Sequence, residues 1–178
     1  MNRYCKWIAA AAFAGCFSLY AQTGADFASE AKQAYDHVKN NIIKAAQEMP
    51  DEDYNFQPTP DIRTFGALIG HIAAAQAHYC SAAEGTHMQL DTSSMKTKAE
   101  LVSALQQSSE ECDKAYDAAN PSNIGHTVGA GRMQRSELGV LYANIAHDNE
   151  EYGYMAVYLR LKGQVPPSSQ PRTEPVRH

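Results

Sequence analysis

Apolar residues recur at intervals of three and four along almost the whole chain after residue 25, and the strict alternation of a half-buried β-strand is absent. Four such stretches of about twenty residues alternate with segments that contain proline, glycine and polar residues. A helix with one apolar side must bury that side against a neighbour. The sequence therefore predicts an all-α fold, a four-helix bundle.

Capping residues and helix breakers give the approximate ends of the four helices. Thr64 is a good N-cap for the second helix, and Gly85 supplies a left-handed stop after it. Thr97 and Glu100 form the pattern of a capping box at the start of the third helix. Gly163 closes the fourth. The predicted helices cover about residues 26–47, 64–84, 97–119 and 136–162.

Helical spacing also predicts which side of each helix faces the core. Glu151 falls on such an apolar stripe, and a buried charge needs a partner. The predicted inward residues of the four helices are, in order, Phe27, Ala31, Ala34, Val38, Ile42 and Ala45; Ala67, Leu68, His71, Ala74, Ala75 and His78; Leu101, Leu105, Cys112 and Tyr116; and Val140, Ala143, His147, Glu151, Tyr154 and Tyr158.

The first 21 residues have the layout of a secretory signal peptide. Arg3 and Lys6 give a basic start, an apolar run follows, and the small residue Ala21 precedes the predicted cleavage point. The run is short for a membrane span, which needs about 20 apolar residues. Two alternatives stay open: a lipoprotein signal with lipid on Cys16, and an uncleaved anchor. We expect an exported protein, periplasmic or secreted.

Removal of residues 1–21 leaves about 157 residues, the length of one domain. We assign residues 22–168 to the bundle, with no membrane span, and residues 169–178 to a disordered tail, because residues 164–178 contain four prolines. With 13 basic and 20 acidic residues, the mature chain carries a net charge of −7. It has no basic stripe and no nucleic-acid-binding motif, so we expect no nucleic-acid partner.

Three side chains form a candidate ligand set for a divalent metal. His147 and Glu151 lie four residues apart, so both project from one face of the fourth helix. His71 lies among small residues of the second helix, which leave room beside its imidazole. Imidazole nitrogen and carboxylate oxygen suit zinc, nickel or iron, and three protein ligands leave a position open. The pattern alone also fits a hydrogen-bonded histidine and a solvated acidic patch that includes Asp148.

Neighbours of these residues are predicted to be mainly structural. We expect His78 to be a residue of the helix face and Asn144 to be either an interhelical contact or a group that orients a ligand. Tyr154 and Tyr158 are expected in the core. Arg160 is expected to pair with an acidic neighbour or to cap the last carbonyls of the fourth helix.

Two segments of the chain resemble the DinB-like family of bacterial four-helix-bundle proteins. These are MPDEDYNFQPTPDIRTFGALIGHIAAAQAHYCSAAEG and SELGVLYANIAHDNEEYGYMAVYLRLKGQVPPSS. In that family a proline-containing loop precedes the helix with the first His, and the last helix carries His-x-x-x-His, a Tyr-Leu-Arg segment, Gly and Pro-Pro. His71 and His147 match this pattern, whereas Glu151 stands where the family has its last His.

The resemblance implies helices in up-down-down-up order and a metal held by His71, His147 and Glu151 beside a pocket. It implies a metal-dependent enzyme acting on a small molecule, of the hydrolase or thiol S-transferase type, and possible assembly as a homodimer. A competing interpretation is a non-catalytic exported binding module in which the metal site is degenerate.

Cys80 and Cys112 test the helix order. If the second and third helices were an antiparallel hairpin, the two residues would lie about 18 Å apart along the axis, too far for a disulfide. In the parallel arrangement that the resemblance implies, both lie about fifteen residues from their helix starts. A bridge is then allowed but not required.

Overall fold

The computed structural model describes residues 26–171 and confirms the four-helix, all-α architecture. The predicted signal peptide, residues 1–21, lies outside the described residues. The helices are α1 Phe27–Glu48, α2 Phe65–Ala83, α3 Lys98–Ala118 and α4 Glu137–Leu161. The shorter elements are the 3-10 turns Asp51–Asp53, Gly131–Met133 and Pro167–Ser169 and the antiparallel strands β1 Thr127–Val128 and β2 Arg135–Ser136.

Local capping chemistry sets the helix ends where the sequence predicts them. The Thr64 side chain accepts a hydrogen bond from the Ala67 amide at the start of α2. Thr97 and Glu100 form the predicted capping box at the start of α3, with each side chain accepting a backbone N–H. Gly85 follows α2 with φ of 70°, a conformation that favours glycine. The helix starts are therefore encoded within a few residues.

Helices α2 and α3 run parallel. Ser108 Oγ donates to Gln76 Oε1 over 2.8 Å, and one turn further along both helices Cys80 and Cys112 form a disulfide with a Cα–Cα distance of 4.9 Å. In both pairs the α3 residue lies 32 positions after its α2 partner. The contacts thus advance in the same direction along the two helices, as a parallel pair requires.

Helix α3 runs antiparallel to α1, because contacts advance along one as they retreat along the other. Tyr35, near the start of α1, donates to the Ser109 carbonyl in the second half of α3 over 3.1 Å. Lys98, at the start of α3, donates to the Gln47 carbonyl at the end of α1 over 2.9 Å.

Helix α4 runs antiparallel to α2 by the same criterion, which completes the up-down-down-up order. Tyr158, near the end of α4, donates to the carbonyl of Arg63 just before α2 over 2.6 Å. Gln76, further along α2, donates to Asp148 near the middle of α4 over 2.9 Å. His71 and His147 therefore lie opposite each other on antiparallel helices.

The parallel pair α2 and α3 needs a crossover, and residues 84–97 supply it. Thr92 in this segment donates to the carbonyl of Gly70 over 3.1 Å, so the segment runs back along α2. A Cβ on Gly70 would meet Thr92 Oγ1 at 2.8 Å. Glycine at this position lets the return segment lie directly against the helix.

A polar layer divides the core into two apolar clusters. One cluster contains Ile42, Ile72 and Leu105, and the other contains Tyr35 and Leu141. The polar layer between them is buried and consists of Gln76, Ser108, Ser109, Asn144, Asp148 and Glu151. Buried polar groups need partners, so this layer restricts which helix surfaces can meet.

The predicted inward faces are partly wrong. Phe27 is 50% and Tyr154 is 51% exposed, and Ala34, Ala67 and His78 are also exposed. The buried residues of α4 include Leu141, Asn144, Ile145, Asp148, Tyr152, Met155 and Leu159. Because α4 packs against both α1 and α2, its buried side is broader than the predicted stripe: Val140, Glu151 and Tyr158 are buried as predicted, and the residues just named are buried beside them. The four residues predicted inward on α3 are all buried.

The chain after α4 returns to the bundle. Tyr152 Oη donates to Ser168 Oγ over 2.8 Å, and Gln170 donates to Glu48 on α1 over 2.8 Å. Residues 172–178 of the predicted tail lie outside the described residues. Among residues 26–171, no helix combines the length and the apolar character that crossing a membrane requires.

Candidate metal centre

The structure brings the three predicted ligand residues together. His71 Nε2 lies 3.1 Å from His147 Nε2 and 3.4 Å from Glu151 Oε1, and the third side of this triangle, His147 Nε2 to Glu151 Oε1, measures 3.6 Å. The two α4 residues are one turn apart, and α2 presents His71 from the opposite side. Within residues 26–171, they form a group able to hold a metal ion.

These separations fit a shared cation. Bonds of about 2.0–2.2 Å to zinc hold two tetrahedral ligands about 3.3–3.6 Å apart. The three measured distances, 3.1, 3.4 and 3.6 Å, lie within or just below that span. Glu151 Oε2 is buried and has no hydrogen-bond partner among the described residues. A cation would compensate this buried carboxylate, so the residues present fit a divalent metal.

The centre is open on the His71 side. The His71 side chain is 34% exposed, against 16% for His147 and 8% for Glu151. Burial lowers the pKa of His71 below its usual value, and the positive charge of Arg63 lowers it further. Neutral imidazole is the form that binds metal. His71 therefore marks the side of the centre that is most exposed to solvent.

Asp148 lies behind His147, and the sequence pattern did not single it out as part of the site. Its carboxylate is completely buried, and its Oδ1 lies 3.7 Å from His147 Nδ1. Neither of these two buried atoms has a hydrogen-bond partner within residues 26–171. The Asp148 carboxyl raises the pKa of His147, and burial raises the pKa of Asp148 itself. A carboxylate on the far nitrogen of a metal-binding imidazole fixes its tautomer and orientation.

Three polar residues hold Asp148 in place. Gln76 and Asn144 donate to its Oδ2 over 2.9 and 3.3 Å. Ser108 donates to Gln76 Oε1, which directs the amide nitrogen of Gln76 toward Asp148. The polar layer therefore extends from α3 through α2 to the back of His147. In the sequence, Gln76, Ser108 and Asp148 are polar residues that lie among apolar positions of their helices, and this was the only signal of the layer.

The other residues singled out in the sequence have structural roles. His78 is exposed, with its ring 5.9 Å from that of His87, and is not part of the three-residue group. Asn144 also donates to Tyr116 Oη over 3.3 Å, an interhelical contact as well as a support for Asp148. Arg160 donates to the Ala156 carbonyl, one turn back in α4, over 3.4 Å and to Ser169 Oγ after the helix over 3.0 Å, rather than to the last carbonyls of α4.

A pocket of about 660 Å³ adjoins the centre. Glu151 forms part of its wall, so the pocket and the three-residue group share a side chain. The other wall residues come from the segment before α2, the first turn of α2 and the second half of α4: Asp61, Ile62, Arg63, Leu68, Tyr154 and Tyr158. Pockets of this volume accommodate small molecules.

Fold and site together define a four-helix bundle with a three-ligand candidate metal centre between antiparallel helices. The sequence profile of the DinB superfamily matches residues 34–155, which include all three ligand candidates. The chain belongs to the DinB superfamily, as the resemblance indicated. A search of curated proteins finds no match.

Solved structures give the same fold. A DinB-like protein from Bacillus cereus has 15% sequence identity and a TM-score of 0.68, over 78% of this chain and 95% of its own. A DinB-like protein from Bacillus subtilis has 17% identity and a TM-score of 0.63, over 79% of this chain and 99% of its own. At these identities the likeness extends to the fold alone.

Proposed function

We propose that this chain is an exported metal-dependent enzyme that acts on a small molecule. The observation that carries this proposal is the convergence of two imidazoles and one carboxylate on a single point at the wall of a pocket. His71, His147 and Glu151 would hold the ion, and Asp148 would keep His147 in the tautomer whose Nε2 is free to bind it. Three ligands leave a coordination position for water or substrate.

The chemistry is hydrolysis or thiol transfer. A bound divalent ion lowers the pKa of water or of a thiol and so supplies a nucleophile near neutral pH. The chain contributes an exposed route past His71 and a pocket that positions the substrate. Glu151 contributes one negative charge where the family pattern has a neutral His. This substitution lowers the net charge of the occupied centre and favours metals that accept an oxygen ligand, zinc, nickel and iron among them.

The disulfide supports export. Disulfides such as Cys80–Cys112 persist in secreted and periplasmic proteins and are rare in the reducing cytosol. Both cysteines are completely buried, as expected of a structural bridge. This observation is independent of the N-terminal segment, and both favour the same compartment.

Metal content tests the proposed function directly. We expect the mature protein, purified without a polyhistidine tag and loaded with zinc, nickel or iron in turn, to hold about one ion per chain. His71→Ala and His147→Ala should each lose that stoichiometric metal, because two remaining ligands bind weakly. Elemental analysis after gel filtration provides the measurement.

The matched control is His78→Ala, which removes an exposed His two turns from His71 on the same helix. It should keep the full metal content, with circular dichroism verifying that all variants are folded. Absence of stoichiometric metal from the wild type under every loading condition would contradict the proposal and favour a non-catalytic module with a degenerate site.

Processing of the N-terminus tests the proposed export. When the full chain is produced in a bacterium with its own N-terminus, we expect mature protein that begins at Gln22. Intact mass and N-terminal sequencing of the periplasmic fraction provide the measurement. A lipid-modified chain that begins at Cys16 would establish the lipoprotein alternative, and a chain that retains Met1 in the membrane fraction would establish the anchor.

A further inference from the structure

We propose that the pocket beside the centre binds a small molecule with a carboxylate or similar anionic group, and that Arg63 is the residue that recognises this group. The inference rests on the proposed function, because it supposes that the opposite end of the molecule reaches the metal. It adds a substrate class and an anchoring residue to that function.

The pocket joins the two ends of such a molecule. Glu151 lies at the metal end, and Tyr158, whose hydroxyl donates to the backbone carbonyl of Arg63, lies at the other end. Glu151 and Tyr158 are seven residues apart on α4, or about 10 Å along the helix axis. A molecule that spans this distance is therefore about as long as a six-carbon chain with a polar group at each end.

Arg63 is placed to bind an anion. Its backbone is fixed by the 2.6 Å hydrogen bond from Tyr158 to its carbonyl, so the side chain starts from an ordered position. Among the described residues its guanidinium has no ion pair within 4.0 Å and no hydrogen bond. Guanidinium binds carboxylate through two parallel hydrogen bonds.

The remaining charges of the pocket favour an anion as well. Asp61 is the one acidic wall residue besides Glu151, and its exposed side chain opposes the charge of Arg63. A divalent cation held by Glu151 keeps one net positive charge, to which Arg63 adds another. Two positive groups against one carboxylate leave the loaded pocket positive, so an anion is attracted to it.

The body of the ligand is apolar. Ile62 and Tyr154, which line the pocket, are 43% and 51% exposed, and Leu68 completes this apolar part of the wall. Exposed apolar side chains grouped around a charged anchor are typical of small-molecule sites. The sequence predicts the Tyr154 ring in the core, but in the structure it lines this wall.

A pair of matched thiols tests the proposal. In the cobalt(II)-loaded protein, 6-mercaptohexanoate and 6-mercapto-1-hexanol both offer a thiolate to the ion, and they differ only in the carboxylate. Titration followed by the thiolate-to-cobalt absorption gives both affinities. We expect the carboxylate to improve binding about three- to tenfold, as one partly exposed charge-assisted hydrogen-bond pair does.

Substitutions of the basic and the acidic residue of the pocket test whether Arg63 binds the carboxylate. Arg63→Ala should abolish the preference for the carboxylate, and Asp61→Asn should increase it, while the affinity for the alcohol stays unchanged in both. Arg132→Ala, an exposed arginine away from the pocket, is the control and should leave the preference intact. Equal binding of the two thiols by the wild type, or a preference that survives Arg63→Ala, overturns the proposal.

Different results would refute the proposed metal centre and the proposed anion pocket. Failure of cobalt, zinc, nickel and iron alike to bind refutes the proposed function itself. If cobalt binds to the wild type but not to His147→Ala, and the loaded wild type binds both thiols equally, the anion pocket is refuted. The proposed metal centre is then still supported.

Discussion

Replacement of both Cys80 and Cys112 by alanine is expected to lower the free energy of unfolding by about 3–4 kcal/mol. The bridge closes a segment of 32 residues, and cross-linking at that separation removes entropy from the unfolded chain by roughly this amount. The disulfide also joins the parallel helices α2 and α3, whose only other covalent connection is the long crossover of residues 84–97. Urea denaturation of the mature protein provides the measurement.

Reduction gives the matched control for this prediction. The wild type unfolded in the presence of a strong reductant should reach the same stability as the double variant, within about 1 kcal/mol. The oxidised wild type should weigh two hydrogens less than its reduced form by intact mass. A wild type whose stability and mass do not respond to reductant would show that the bridge does not form, and the parallel packing would then need independent support.

Local signals explain how much of the fold was predictable from the sequence. Each helix start carries its own capping residue, and the predicted ends differ from the observed ones by about one residue. Thr97 with Glu100 illustrates why: the capping hydrogen bonds join residues three positions apart and need no tertiary contact. The order of the helices did not follow from such signals. It came from the resemblance, and the cross-helix contacts confirm it.

The side of each helix that faces the core was less predictable, and this affected the site. The acidic residues Asp148, Glu150 and Glu151 are nearly consecutive, yet they are respectively fully buried, exposed and buried. Sequence spacing gives their relative angles around α4 but not the rotation of α4 between α1 and α2, which packing decides. The pattern alone therefore left open that Asp148 belongs to a solvated acidic patch, whereas it lies in the buried polar layer.

Replacement of Asp148 by asparagine is expected to weaken metal binding about 10- to 100-fold without destabilising the metal-free protein. Gln76 and Asn144 both donate to Oδ2 of Asp148, so an asparagine must turn its oxygen toward them. Its NH₂ group then faces His147 Nδ1 and donates to it. His147 must carry its proton on Nε2, the atom that faces His71, and this proton blocks the metal.

The same substitution should increase the stability of the metal-free protein, although it weakens metal binding. Burial raises the pKa of Asp148, so its contribution to stability is greatest below the pKa of the unfolded chain, about 4. That contribution is lost as the pH rises through the higher pKa of the folded state. Asparagine cannot ionise, so this decline should be absent from the variant. Urea unfolding between pH 4 and 8 measures the difference in slope.

Glu150→Gln separates the specific effect from a general loss of negative charge near the centre. Glu150 is exposed on the same helix, two residues from Asp148, and its removal should change metal affinity less than about twofold. Competition with a chromophoric chelator gives the affinities, and nitrogen-15 shifts of His147 report its tautomer in the metal-free state. If Asp148→Asn keeps the wild-type tautomer and affinity, Asp148 has no orienting role, and the polar layer serves only to fix the packing of α2, α3 and α4. The predicted loss of affinity together with a gain in stability at neutral pH would instead mean that the buried carboxylate is kept for the metal, at a cost to the fold.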